Sequence, residues 1–381
     1  MDYDNVKKII ESCHLNFLIG SGASRPFLGT LGTIEILLTD LSKSSISEDR
    51  KKIIDASIKK HYWDVAIKGN LDIYNTGNAT LDATKKAYYD FYNALNTILH
   101  KRKTNLISKQ VNIFTTNMDL FNEDALEVCS YIYNDGFSGR LHPLFGTENF
   151  NNSIKKTSSH FEYQSELPLF NLFKLHGSVN WLLDKNENIK YDNNLEILNG
   201  INKVTIDKKD LLEIEYKKKI TGIDVWSSFT IDELDAQLTK KKIVKSKEHV
   251  EFLEAYDKLI MINPTKEKFE TTTRKLAFYE LLRMYSNNLE KENSVLFVFG
   301  FSFADEHIRE ITTRVAKANP TLLIVIFAFD QIAQKAIVKE LKEQDNIIYI
   351  FDETDKIKYS LETINKAYFK KLSNELINIQ S

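Results

Sequence analysis

The sequence predicts a protein of the α/β class, with a parallel sheet covered by helices on both faces. Short runs that are apolar throughout alternate with stretches of helical spacing, most regularly in the last third of the chain. Such runs are typical of strands buried on both faces, as strands of a parallel sheet are. Several of them end in glycine or small polar residues, which is where Rossmann-like sheets place their ligands.

Length and composition predict more than one compact unit. The chain has 381 residues, 43% of them hydrophobic and 27% charged, and its 51 basic and 53 acidic residues nearly cancel. A balanced charge gives no indication of direct nucleic-acid binding or of a membrane partner. The two cysteines, Cys13 and Cys129, exclude a four-cysteine zinc site supplied by one chain. Without a signal-like or membrane-length apolar run, we expect a reducing, cytoplasmic setting.

The first half of the chain contains three predicted strands separated by helices. Each strand is a short apolar run that ends at a glycine or a polar cluster. The strands are "LNFLIG" (15–20), "VNIFTTN" (111–117) and "LFNLFKLHG" (169–177). Helical spacing is found at Asp4–Ser12, in most of 34–103 with its clearest part at Leu81–Leu99, and in 118–129 behind the second strand.

The second half begins with a polar, lysine-rich stretch and then becomes regular. Residues 183–249 predict no clear element, and "DKLIMINP" (257–264) predicts a strand ended by Pro264. A helix is predicted from about Thr273 to Leu289. The remainder alternates as strand and helix, with strands "SVLFVFG", "TLLIVIFAFD" and "NIIYIF", helices at Asp305–Ala318 and Gln331–Glu343, and a closing helix from about Ser360.

These patterns predict one core interrupted by two insertions. The core would comprise residues 1–33, 105–182 and 256–381, which contain all the predicted strands. Residues 34–104 would form a helical insertion. Residues 183–255 would form a polar insertion, a possible surface for self-assembly or for a partner.

The turn "GSGAS" (20–24) follows the first strand and is a candidate phosphate site. Glycine lets backbone N–H groups approach phosphate oxygens, and a following helix contributes a positive N-terminus. An ordinary tight turn is an equally good interpretation. The dehydrogenase fingerprint G-x-G-x-x-G fails because Arg25 stands at its third glycine, and the Gly-Lys-Ser/Thr of phosphate-loop proteins is absent.

Three later strand exits also carry polar residues. In "TTNMD", Thr115, Thr116, Asn117 and Asp119 suit ribose hydroxyls or an ordered water, although Asp119 could equally cap the next helix. In "LHGS", His176 could act as a general base, although a single histidine is more often a buried, hydrogen-bonded one. In "GFSF", the small residues could accept an adenine or ribose, with Phe301 or Phe303 as a stacking surface, although a plain turn and helix cap is the favoured interpretation of this segment alone.

Taken in order, "GSGAS", "TTNMD", "LHGS" and "GFS" resemble the sirtuin family of NAD-consuming proteins. The resemblance covers about half of the chain and depends on the order of the motifs more than on any single one. It implies that the glycine turn holds the NAD pyrophosphate through Gly20, Ser21, Gly22, Ala23 and Ser24, with Arg25 near a ribose or phosphate. It further implies that Thr116, Asn117 and Asp119 order the nicotinamide ribose, that His176 is the base, and that Gly300, Phe301 and Ser302 support the adenosine.

The departures from the family favour NAD hydrolysis. Sirtuin deacylases carry four zinc-binding cysteines after the His-Gly pair, whereas no cysteine follows Cys129 here. The chain is similar in this to bacterial sirtuin-like NAD hydrolases of anti-phage defence. The resemblance thus implies an NAD glycohydrolase that needs no zinc, with Asn117 and His176 as catalytic residues. Deacylation, ADP-ribosyl transfer and a non-catalytic NAD or ADP-ribose sensor remain alternatives. A homo-oligomer is expected, with a hexameric HerA-type translocase ATPase as a possible partner.

Overall fold

Seven parallel strands form the central sheet of the computed structural model, which describes residues 3–30, 34–102, 107–160, 163–220, 223–261, 272–342 and 344–378. The strands are β1 (His14–Ile19), β2 (Gln110–Thr115), β3 (Tyr133–Asn134), β8 (Leu169–Lys174), β13 (Ser294–Phe299), β14 (Leu323–Phe327) and β15 (Ile347–Ile350). Their spatial order is β15, β14, β13, β1, β2, β8, β3, and every neighbouring pair is parallel. The predicted α/β class with a Rossmann-like parallel sheet is confirmed.

Both faces of the sheet are buried, which explains why its strands are apolar throughout. Alternate residues of β1 and β13 point to opposite faces, so that Phe17 and Phe297 stack at 5.3 Å in one core while Leu18 and Val298 lie in the other. Helices α1 (Tyr3–Ser12), α4 (Ala79–Lys101), α12 (Leu361–Ile364) and α13 (Lys370–Asn378) cover the first face; a π-helical turn, Asn365–Phe369, joins the last two. Helices α9 (Thr272–Leu289), α10 (Glu306–Ala318) and α11 (Gln331–Leu341) cover the second. The corresponding predicted helices are confirmed.

The chain segments predicted as insertions pack against each other. Helices α2 (Ile34–Lys43) and α3 (Glu48–Tyr62) contact α7 (Ile231–Lys241), and α3 also contacts α8 (Lys247–Tyr256). At the interface between α3 and α8, the ammonium nitrogen of Lys59 lies 3.1 Å from Asp55 Oδ2 and 3.0 Å from Asp257 Oδ1. The Lys59 side chain is 10% exposed. We refer to α2, α3, α6 (Glu196–Lys203), α7, α8 and the turns at 63–72 as the helical unit. The boundaries of the predicted domains stay a prediction.

Residues 183–249, for which the sequence predicts no clear element, form helices and strands over most of their length. The prediction is wrong there. Besides the three helices α6, α7 and α8, the structure has a hairpin of β11 (Glu215–Ile220) and β12 (Ile223–Ser228). A signal was present in the sequence, since Thr230 and Glu233 form a capping box at the start of α7. The short length of the elements and their many lysines concealed the helical spacing.

The smaller elements lie beside the main sheet. A four-stranded antiparallel sheet is made of β4 (Phe137–Ser138), β5 (Leu144–Phe145), β9 (Trp181–Leu183) and β10 (Ile189–Tyr191). A hairpin joins β6 (Lys155–Thr157) and β7 (Gln164–Glu166), and α5 (Phe121–Val128) follows β2, as predicted. None of the described helices is both long enough and apolar enough to span a membrane.

The strand predicted at "DKLIMINP" is wrong over its described part. Residues 257–260 form a turn after α8, in which the Asp257 N–H donates to the Leu253 carbonyl at 2.9 Å. Met261 makes only an isolated bridge to Gly177, and Ile262–Pro264 lie outside the described residues. Leu259 and Ile260 are buried, so their apolar character reflects packing of a turn and not of a strand.

Candidate functional site

The glycine turn after β1 packs directly against the turn after β13. These strands are neighbours and parallel, so their carboxyl ends meet at one edge of the sheet. The Gly20 N–H donates to the Phe299 carbonyl at 3.1 Å, and the Gly22 N–H donates to the Gly300 carbonyl at 2.9 Å. Both N–H groups therefore donate to the end of β13, and the predicted contact of this turn with a phosphate stays a prediction.

Close backbone contact is the reason for glycine at this junction. A Cβ atom at Gly20 would lie 2.3 Å from the Gly300 carbonyl oxygen, and one at Gly22 would lie 2.8 Å from the Gly300 Cα. Gly300 itself has φ of +65°, and a Cβ there would lie 2.4 Å from the Ala23 nitrogen. Three glycines thus bring the exits of β1 and β13 into van der Waals contact.

The end of β2 extends this junction through hydrogen bonds. The Thr115 hydroxyl donates to the Ile19 carbonyl at 2.9 Å and accepts from the Asn117 N–H at 3.0 Å. The Thr116 N–H donates to the same Ile19 carbonyl at 3.3 Å. The backbone of "TTN" is in this way fixed to the end of β1.

Asn117, Ser24 and Asp119 form a buried network. The Asn117 amide nitrogen donates to the Gly20 carbonyl at 3.1 Å and to the Ser24 hydroxyl at 3.3 Å. The Ser24 hydroxyl donates to Asp119 Oδ2 at 2.6 Å and lies 3.0 Å from the hydroxyl of Tyr88 on α4. The Asn117 Oδ1 is buried and has no hydrogen-bond partner among the described residues. The network thus holds Asn117 in place while leaving one acceptor unused.

A buried lysine lies behind this network. Lys174, the last residue of β8, has a side chain only 1% exposed; its ammonium lies 3.0 Å from Glu123 Oε1 and donates to the Asp119 carbonyl oxygen. Burial raises the pKa of Asp119, and this is opposed by the charge of Lys174 and the hydrogen bond from Ser24. Burial likewise raises the pKa of Glu123 against the charge of Lys174. The cation therefore favours the charged form of both carboxyls.

His176 lies at the exit of β8 and pairs with Asp305. Its Nε2 is 3.2 Å from Asp305 Oδ2, and the two side chains are 14% and 9% exposed. The other Asp305 oxygen accepts the Ile308 N–H at 3.0 Å, which makes Asp305 the N-cap of α10. Next to the histidine, Gly177 has φ of +81°, and a Cβ there would lie 2.3 Å from the Ile260 carbonyl oxygen. The imidazole is thus held between the exits of β8 and β13.

A cleft lies beside the network, between the sheet edge and the helical unit. On the side of the sheet it is lined by Ser21, Thr116, Asn117, Met118, Asp119 and Val179. On the other side it is lined by Leu28, Gly29, Tyr62, Ala66, Ile67 and Asn70.

A family model for the SIR2-like domain matches residues 236–350. This segment is similar to the SIR2-like domain. The predicted resemblance to the sirtuin family is thereby confirmed for this part of the chain. The matched segment contains β13, α10 and β14, whereas the glycine turn, "TTNMD" and His176 precede it.

The chain is also similar to a solved structure described as "Structural Basis for the Mechanism and Regulation of Sir2 Enzymes". The two sequences are 12% identical, the match covers 99% of each chain, and the TM-score is 0.38. No curated protein matches the chain.

The fold brings some of the predicted site residues to the cleft and leaves others outside its lining. Those that line it are Ser21, Thr116, Asn117 and Asp119. The remaining predicted residues are Gly20, Gly22, Ala23, Ser24, Arg25, His176, Gly300, Phe301 and Ser302. Ser24 and Ala23 are buried behind the lining, whereas Arg25 is exposed.

The aromatic residues after β13 divide into one accessible and one inaccessible ring. Phe303 is 0% exposed and belongs to the core, so its predicted role as a stacking surface is wrong. Phe301 is half-buried, with its ring centroid 5.0 Å from that of Phe303. Ser302 is exposed, and its hydroxyl accepts the Ala304 N–H at 3.4 Å. Gly300, Phe301 and Ser302 remain predicted adenosine contacts.

Four residues at or beside the cleft were not among the predicted site residues. Lys174 and Asp305 stand next to predicted motifs, and a lysine inside the apolar run "LFNLFKLHG" was a usable signal. Tyr62 and Asn70 belong to the helical unit and carry no motif. Asn70 is 1% exposed; its Oδ1 accepts the Leu120 N–H at 3.2 Å, which connects the helical unit to the loop after β2.

Among the described residues, no group of three or more histidine, cysteine, aspartate or glutamate side chains is arranged to hold a metal ion.

Proposed function

We propose that the protein is an NAD⁺ glycohydrolase, which cleaves NAD to nicotinamide and ADP-ribose. The observation that carries the proposal is the buried Asn117 Oδ1, which has no hydrogen-bond partner among the described residues. The amide nitrogen of the same side chain, in contrast, donates two hydrogen bonds. A buried acceptor without a partner costs roughly 1–3 kcal/mol, so a ligand hydroxyl there would be favourable. The nicotinamide-side ribose of NAD supplies such a hydroxyl.

The surrounding residues fit NAD as substrate. Ser21, Thr116 and Asp119 line the same cleft and offer hydroxyl and carboxylate groups to a ribose. Gly20, Gly22 and Gly300 bring two strand exits into contact, so that the backbone of Ser21–Arg25 and of Phe301–Ser302 lies at one sheet edge. We propose that the first of these segments contacts the pyrophosphate and the second the adenosine.

In the reaction, the bond between C1′ and the nicotinamide nitrogen breaks, and both its electrons leave with nicotinamide. A water oxygen forms the new bond to C1′, and its proton is released, which gives ADP-ribose, nicotinamide and one proton. We propose that Asn117 orients the ribose or the water and that His176 accepts the proton. The Asp305 carboxylate would fix the ring of His176 and stabilise its protonated form, as a carboxylate behind a catalytic histidine does.

Water is the proposed acceptor rather than an acyl-lysine peptide. The four-cysteine zinc module of sirtuin deacylases cannot be built from the two cysteines of this sequence. The wall of the cleft opposite Asn117 is contributed by Tyr62, Ala66 and Ile67 of the helical unit. Both observations support hydrolysis as the activity of the cleft.

Control of such an activity is also part of the proposal, because unregulated NAD cleavage is toxic. We propose a homo-oligomer that acts in bacterial anti-phage defence, with a hexameric HerA-type translocase ATPase as a partner and residues 183–255 as a contact surface. Size-exclusion chromatography with light scattering, with and without that ATPase, tests this part. A monomer that binds no ATPase, and whose NAD turnover the ATPase does not change, would contradict it.

The activity is tested by measuring NAD turnover by chromatography for the wild type, Asn117→Ala and His176→Ala. Loss of a general base is worth roughly 10²- to 10⁴-fold in rate, so His176→Ala should lose at least a hundredfold. The matched control is His142→Ala, because His142 is exposed and lies outside the cleft. Unchanged NAD with the wild type, alone and with the ATPase, or full activity of His176→Ala, would refute the proposal.

A further inference from the structure

Tyr62 is a buried tyrosine of the helical unit whose hydroxyl is unused. It ends α3, is 2% exposed and lines the cleft opposite Asn117 and Asp119. Within the described part of the chain, no hydrogen bond to its hydroxyl is found. Two other buried tyrosines have partners: Tyr88 bonds to Ser24 at 3.0 Å, and Tyr285 to Thr312 at 2.8 Å.

Tyr62 and Asp119 line the same cleft. Burial, and after it the negative charge of Asp119, raises the pKa of Tyr62, so the phenol stays protonated at neutral pH. A protonated phenol both donates and accepts a hydrogen bond. Buried hydroxyls usually find a partner, so an unpaired one at a cleft indicates a partner that is not part of the chain.

The unpaired phenol complements the unpaired acceptor across the cleft. Asn117 Oδ1 can only accept, whereas the Tyr62 hydroxyl can donate. A ribose has two adjacent hydroxyls, each of which donates and accepts. One of them can donate to Asn117 while the other accepts from Tyr62, which satisfies both protein groups at once.

We propose that the Tyr62 hydroxyl is a substrate-binding group that donates a hydrogen bond to the nicotinamide-side ribose of NAD. This inference rests on the proposed function. It assigns to the helical unit a direct contact with the substrate, opposite the contact from Asn117. The helical unit then takes part in substrate recognition as well as forming one wall.

The test compares Tyr62→Phe with the wild type in calorimetric titrations with NAD, ADP-ribose and AMP. ADP-ribose keeps the nicotinamide-side ribose, and AMP lacks it. Loss of one neutral hydrogen bond should raise the dissociation constants of NAD and ADP-ribose by about three- to tenfold and leave that of AMP unchanged. KM for NAD should rise by a similar factor.

The matched control is Tyr349→Phe. Tyr349 also has a buried hydroxyl without a partner among the described residues, but it lies on β15, at the far edge of the sheet. Its replacement should change no dissociation constant. Since neither hydroxyl bonds to the described chain, neither replacement should lower the melting temperature of the free protein.

The outcomes separate this inference from the function on which it rests. If the wild type binds NAD and ADP-ribose and Tyr62→Phe binds them equally well, the role of Tyr62 is refuted and the proposed function stands. Equal weakening of AMP would also refute it, because the contact would then be to the adenosine half. If the wild type binds neither NAD nor ADP-ribose, the proposed function and this inference both fail.

Discussion

The two walls of the cleft are built on different principles. The sheet wall consists of strand exits whose polar groups bond to one another, as Asn117 does to Gly20 and Ser24. The opposite wall is mostly apolar, with Ala66 and Ile67 of the helical unit and Leu28 of the segment before it beside the two polar residues Tyr62 and Asn70. The first wall is held by buried charge and close backbone contact, the second by side-chain packing.

This difference indicates how the work of the site is divided. The sheet wall is rigid, because a shift of any strand exit breaks several hydrogen bonds at once, and rigid polar groups suit chemistry. The helical unit meets that wall through few polar contacts, such as the one between Asn70 and Leu120. Substitutions in the sheet wall should therefore cost more than those in the opposite wall.

The largest loss of stability is expected for Lys174→Met. It leaves the Glu123 and Asp119 carboxyls buried without their cation, and breaking a buried ion pair costs about 3–5 kcal/mol. Urea unfolding of variant and wild type measures the difference in the free energy of unfolding. The control is Lys190→Met, because Lys190 pairs with Asp184 at 3.4 Å but is 37% exposed, and such pairs contribute about 0–1 kcal/mol.

The loss in Lys174→Met should depend on pH. The pKa of Glu123 in the folded protein lies above its ordinary value of 4.5, so burial of this carboxyl costs stability as pH rises from 4.5 through the folded pKa. Without Lys174 the folded pKa rises further and the cost increases. The difference from wild type should thus be larger at pH 8 than at pH 5, and a difference that grows on acidification would contradict this account.

The second-largest loss of stability is expected for Gly300→Ala. The new Cβ would meet the Ala23 nitrogen at 2.4 Å while the backbone keeps φ of +65°, so the exits of β1 and β13 must separate. Gly77→Ala is the control, because Gly77 has φ of +90° but nothing within 4 Å of its Cβ position. Backbone strain alone costs roughly 1–3 kcal/mol, and the contact should add to it in Gly300→Ala. Equal melting temperatures of the two variants would show that the close contact is unimportant.

Comparison of the two walls also explains what the sequence could predict. The strands and the residues at their exits were predicted because an apolar run that ends in "GSG", "TTN" or "LHG" is a local pattern. The contact of Gly20 with Gly300 joins distant parts of the chain, so no local pattern indicates it. From the sequence alone, these glycines indicate a phosphate site instead. Tyr62 and Asn70 reach the cleft only through the packing of the helical unit, which no motif records.

The third prediction concerns the pair of His176 and Asp305. Asp305→Asn keeps an N-cap acceptor for Ile308, since asparagine caps as well as aspartate, but removes the charge beside the imidazole. If His176 is the base, kcat should fall by about tenfold or more with little change in KM, because ring orientation is lost while substrate contacts stay. Stability should change by less than about 1 kcal/mol.

The control for Asp305→Asn is Asp330→Asn. Asp330 caps α11 by accepting the Ala333 N–H at 2.8 Å and lies at the exit of β14, away from His176. The substitution Asp330→Asn should leave kcat unchanged. A kcat of Asp305→Asn equal to that of the wild type would show that His176 does not depend on this carboxylate.

The smallest effect is expected in the opposite wall, for Asn70→Ala. It removes the acceptor of the Leu120 N–H, and loss of one neutral hydrogen bond costs about 1 kcal/mol. The control Asn75→Ala, at an exposed residue whose amide donates to Asp72, should cost less. Because Leu120 directly follows Asp119, Asn70→Ala should also raise KM for NAD more than it lowers kcat, since the loop positions substrate groups while His176 stays in place. A larger fall in kcat than rise in KM would mean that the helical unit supports the chemistry itself, and that the two walls do not divide the work as their construction indicates.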